Sequence, residues 1–195
     1  MKTLFLVIMA CALLPHAASS QARVAENFPT VHSALYGMIY VRSVPTENSG
    51  TKGTTQVFRV RSSGDELLDE YPVYMRGELY LGWSPIAGKY GLVHVQPAIL
   101  TSDIDRANAG RITRLAFYIG GKELFSYSTE DLRQLGLERR VVHLQNNLNG
   151  SFMVHGIEQV PNTNNYVFVL EKTVNNSSRT ERILLDITTG KPLIR

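Results

Sequence analysis

Cysteine is almost missing from this chain: Cys11 is its only one. A single thiol excludes an internal disulfide and a zinc–thiolate cluster. It also stands inside an apolar N-terminal run, so any cleavage behind that run leaves none. Tryptophan occurs once, and charged residues make up only 19% of the chain, with a net charge of +3. The arginines are scattered as Arg59 and Arg61, Arg111 and Arg114, Arg139 and Arg140. A balance so mild, with no basic stripe, speaks against nucleic acid as a partner. No G-x-S-x-G elbow, glycine-rich phosphate loop or dinucleotide fingerprint is present. No stretch carries a family signature.

What is there begins with "MKTLFLVIMACALLPHAASSQA". Lys2 is followed by an apolar run from Leu4 to Leu14, then Pro15 and small residues, the three-part pattern of a cleaved secretory signal. The run falls short of the roughly 20 residues a helix needs to cross a bilayer. No later stretch is apolar enough, so no transmembrane segment is expected in the mature chain. Residues 1–22 are read as a cleaved signal peptide and residues 23–195 as a single β-rich domain. An exported chain without disulfides fits a bacterial periplasmic or secreted protein. A lipobox at Cys11 is the weaker reading, because the apolar run continues past it.

The remainder alternates like strands separated by turn residues. Leu35 to Val44 is rich in β-formers, and "TQVFRVRS" has period two, with Val57 opposite in face to Gln56, Phe58 and Val60. A hairpin is expected at Gly120-Gly121, another at Asn149-Gly150, and a third joins "NYVFVLEKTV" to "ERILLDITTG". In the last, Tyr166, Phe168 and Leu170 share a face with Ile183, Leu185 and Ile187. "STEDLRQLG" is the best helix signal, with Ser128 as cap and Glu130 and Asp131 in the first turn. The pattern predicts a mainly β fold, an antiparallel sandwich or barrel of short strands and hairpins with one or two short helices.

"DEYPVYMRGELYLGW" reads as a hairpin closing over Met75-Arg76-Gly77. Its register would place Val73 with Tyr71, Leu79 and Leu81 on a core face, and Tyr74 with Tyr80 on the other. Tyr74, Arg76 and Tyr80 are therefore the candidate binding residues, since Tyr and Arg dominate interface energetics. His155 is read as a satisfied core histidine, and His143 could meet His94 across a sheet. Asp65, Glu66, Asp69 and Glu70 are read as a solvated acidic turn rather than the carboxylate pair of a glycosidase. Asp103, Asp105 and Asn108 lack the spacing of a calcium loop. No catalytic or metal-ligating residue is assigned, and no cofactor is expected.

The functional expectation is an exported non-enzymatic β domain that binds an envelope or extracellular protein, a surface assembly or a polysaccharide. The alternatives are an exported hydrolase with a dispersed site and a β-barrel carrier of a small apolar ligand.

Overall fold

A computed structural model describes residues 26–48, 50–96, 113–135, 152–173 and 180–193. The described chain is mainly β. Strands β1 (Thr30–Ala34), β2 (Ile39–Pro45), β3 (Gly53–Arg59) and β4 (Glu66–Tyr71) form a first sheet in that order. Strands β5 (Glu78–Ser84), β6 (Lys89–Val95), β7 (Thr113–Ile119) and β8 (Lys122–Ser128) form a second. Strands β9 (Phe152–Gln159), β10 (Tyr166–Thr173) and β11 (Thr180–Asp186) form a third, with β10 central. Every pairing is antiparallel. Among the described residues no sheet closes on itself, and of the two expected architectures the layered sheets are consistent with the sandwich.

The second sheet is the middle layer, because its two faces feed two cores. Leu81, Leu92, Ala116 and Tyr118 pack with Ile39, Val41, Val57 and Tyr71 of the first sheet. Val93, Val95, Leu115, Phe117 and Tyr127 pack with Phe168, Leu170, Leu185 and Ile187 on the other side. A strand buried on both faces need not alternate. That explains the continuous apolar character of β6, which is buried from Gly91 to Val95. Gly82 and Gly91 face each other across β5 and β6. A β-carbon on Gly82 would stand 2.9 Å from both Ile157 and Ile187. The glycine is what lets the third sheet close onto the middle one.

Local turn chemistry behaves as expected. Gly120 and Gly121 have φ of 58° and 78°, the geometry of a two-residue hairpin turn, and they join β7 to β8. The pair β10–β11 sets Phe168 opposite Leu185 and Leu170 opposite Ile183. Helix α1 (Thr129–Gln134) starts from a reciprocal capping box between Ser128 and Asp131. That bond with Ser128 holds the Asp131 carboxyl below its usual range. Tyr127 donates to the carbonyl of Gly190 at 2.7 Å, and burial pushes its phenol up to about 12. The Asn149-Gly150 turn, His143 and the Asp103–Asn108 segment lie outside the described residues.

Three expectations are corrected. "DELLDE" is no turn: Glu66 to Tyr71 is strand β4, paired with β3. The hairpin over Met75-Arg76-Gly77 does not form, because β4 and β5 belong to different sheets and residues 72–77 cross between layers. His155 is exposed rather than core, with Nε2 2.9 Å from a Glu171 carboxylate oxygen. The cause is a bulge: Val169 pairs with Gly156 and Leu170 with Val154, which leaves His155 as the extra residue. One inserted residue exchanges the faces of a strand.

Candidate functional site

The crossover 72–77 carries two of the three candidate binding residues, and its backbone bonds replace the expected ladder. Ser43 on β2 and Thr55 on β3 are fully buried, with hydroxyls 2.7 Å apart. Thr55 Oγ1 donates to the Val73 carbonyl at 2.7 Å, and Ser43 Oγ accepts from the Met75 N–H at 2.9 Å. The Tyr74 N–H reaches the Thr51 carbonyl at 2.8 Å. The chain is thereby drawn under the first sheet, and both Tyr74 and Met75 are buried. The Tyr74 hydroxyl donates to the Phe28 carbonyl at 2.9 Å.

The candidates therefore do not share a face. Tyr74 is buried beside the first sheet, whereas Val73, expected in the core, is only half-buried. Tyr80 points toward the third sheet, edge-on to Phe168 at 5.3 Å, with its ring over Gly156. Its hydroxyl donates to Glu78 at 2.7 Å. Arg76 is half-buried in the crossover, and its carbonyl accepts a 2.7 Å bond from His94 Nε2. A carbonyl can only accept, so Nε2 carries the proton. Burial lowers the affinity of His94 for a second proton; the Arg76 carbonyl opposes this, nearby His32 reinforces it, and Glu123 opposes it. Among the described residues the buried histidine is thus His94.

A different surface collects exposed apolar side chains. On the outer side of the first sheet, Tyr40 of β2 stacks on Phe58 of β3, with centroids 5.1 Å apart and planes 18° apart. Leu67 of β4 pairs next to Phe58 and is 49% exposed. Toward the β1–β2 turn the same face continues as Met38 and Val60, which are 59% and 48% exposed. These two are linked by a 2.9 Å bond from the Val60 N–H to the Met38 carbonyl. Val31 of β1 and Val44 of β2 are exposed on this side as well. Among the described residues nothing covers this face. Apolar side chains gathered in this way, unlike single exposed ones, mark contact surfaces.

Polar groups around the patch are already engaged with one another. Arg42 lies 5.2 Å from the Phe58 centroid and donates to Gln56 at 2.6 Å, and Gln56 donates to Glu70 at 2.5 Å. The Tyr40 hydroxyl donates to Asp65 at 2.7 Å, and that bond raises its pKa. Arg61 binds Glu66 through Nε at 2.6 Å and holds that carboxyl below its usual range. A surface with its charges paired internally has little electrostatic demand on a ligand, and shape and apolar area remain to recognise one.

The sequence carried a trace of this face. The alternation in "TQVFRVRS" sets Val57 with Arg59 and Arg61 on one face and Gln56 with Phe58 and Val60 on the other; each face mixes apolar and polar residues, so period alone does not say which meets a second layer. Among the described residues no three His, Cys, Asp or Glu side chains converge as metal ligands. No helix among the described residues is long and apolar enough to cross a membrane. No family profile, curated protein or solved structure matches this chain.

Proposed function

We propose that this chain is an exported, non-enzymatic β-sandwich module that docks a protein partner of the cell envelope through the outer face of its first sheet. One observation carries the reading: Met38, Val60 and Leu67 stand exposed around the Tyr40–Phe58 stack on one open face. A protein partner is favoured over a polysaccharide by the chemistry of that face. Sugar rings stack on free aromatic faces, but the Phe58 ring is already engaged by Tyr40 and flanked by Arg42. The aliphatic members are suited to packing against side chains. Export rests on the N-terminal pattern of a charged start and an apolar run.

The test is site-specific photo-crosslinking in the producing cell, with the reactive group placed at Leu67 or Val60. Ile86, 80% exposed on the β5–β6 turn, serves as the control position. The expected result is a discrete protein adduct at 60 and 67, absent at 86, and abolished by Met38→Glu. Equal labelling at all three positions, or none at 60 and 67, overturns the reading. An adduct of carbohydrate at these positions moves the function to polysaccharide binding.

A further inference from the structure

The connection between β1 and β2 is wound against its chemistry. Ala34 pairs with Ile39, so the chain must reverse within four residues, closed by a 3.1 Å bond from the Met38 N–H to the Leu35 carbonyl. Leu35, Tyr36 and Gly37 have φ of 48°, 57° and 82°. Two residues with side chains therefore sit in the left-handed region, where the β-carbon crowds the backbone. Asn162 is the other such residue among those described, and asparagine tolerates the conformation. No packing compensates at Tyr36, whose side chain is fully exposed. The strain is imposed by the β1–β2 register.

Strand β1 is also placed with its poorer side inward. Thr30, His32 and Ala34 face the middle layer, whereas Val31, its large apolar residue, is 65% exposed. Thr30 Oγ1 and His32 Nε2 are buried without a hydrogen-bond partner among the described residues. Lifting β1 from the sheet therefore withdraws only Ala34 of its own apolar side chains from the core and hydrates two unpaired polar atoms. The strand pairs with β2 alone, at the end of the sheet. Its lead-in is held by Asn27, bonded to the carbonyls of Asn48, Glu47 and Gly50, and by the Tyr74 bond to Phe28.

We propose that β1 is an exchangeable strand, taken up by a second copy of this chain to give a strand-swapped dimer. The second copy is the fitting occupant because its own β1 recreates every contact: the β2 ladder, the Asn27 anchors and the Tyr74 bond. Only residues 35–38 differ, and there the chain extends and leaves the left-handed region. Exchange thus conserves the interface while releasing the turn, the condition under which tight, strained hinges swap.

The test uses the full chain carrying Cys11→Ser, Val31→Cys and Arg42→Cys, since Val31 and Arg42 face each other across β1 and β2. Samples are held at increasing protein concentration, oxidised, and resolved on non-reducing gels beside sedimentation velocity. The expected result is a disulfide-linked dimer that grows with concentration. Tyr36→Gly, which relaxes the closed turn, should lower its yield several-fold. Tyr36→Pro, whose ring cannot adopt positive φ, should raise it. A disulfide that stays within one chain at every concentration overturns the proposal. A sedimenting dimer with an intrachain disulfide overturns it too, while leaving the docking face of the first sheet intact as a reading.

Discussion

Ser43 and Thr55 meet hydroxyl to hydroxyl, 2.7 Å apart and fully buried, and together they tie the crossover 72–77 to the first sheet. The proton inventory is closed. Thr55 Oγ1 gives its proton to the Val73 carbonyl, so Ser43 must donate to Thr55 and accept from the Met75 N–H. Thr55→Val keeps the volume but removes both roles, stranding the Val73 carbonyl and the Ser43 proton. Unfolding free energy should fall by about 1–3 kcal/mol. Urea denaturation measures this, and an unchanged midpoint would show that water replaces the hydroxyl.

Tyr74 and Val73 provide a direct contrast. Because the crossover buries Tyr74 and leaves Val73 half-buried, Tyr74→Asp should destabilise more than Val73→Asp. The β-hairpin register read from sequence demands the opposite order. A buried, unpaired carboxylate costs several kcal/mol, so thermal midpoints of the two variants separate the alternatives.

His94 and His32 lend the fold an acid sensitivity. Burial is the largest influence on each, and it favours the neutral ring. In the unfolded chain both rings titrate near the ordinary 6.5. The unfolded state therefore binds more protons just below that value, and stability is complete above pH about 6.5 and declines as pH falls. Glu123 opposes the effect at His94 but ranks last among its influences. Glu66 and Asp131, whose carboxyls are held low, lose their contribution only below the ordinary carboxylate range, so the windows are distinct. The denaturation midpoint should be lower at pH 5.5 than at pH 7.5, and His94→Gln should shrink that difference. A midpoint that does not change between the two pH values contradicts the assignment.

The elements legible in the sequence are those whose cause is local. The Gly120-Gly121 turn depends on two residues that accept positive φ, the α1 cap on Ser128 and Asp131, and the β10–β11 pair on two strands alternating in register. Within a few residues of each other, such groups find their partners whatever surrounds them. The mainly β, antiparallel character of the chain follows from repeating that chemistry.

Tertiary structure decided the rest, because a period of two names two faces but never says which will meet another layer. Val57 went inward and Phe58 outward, although both are apolar, because the middle sheet lies on only one side of β3. At residues 72–77 a hairpin was locally possible, but the buried hydroxyls of Ser43 and Thr55 took up the backbone groups and sent the chain to the next sheet. At His155 one bulged residue reversed the parity of the strand and put the histidine in solvent beside Glu171. Each outcome turns on contacts between segments far apart in the chain, and those exist only once the layers have packed.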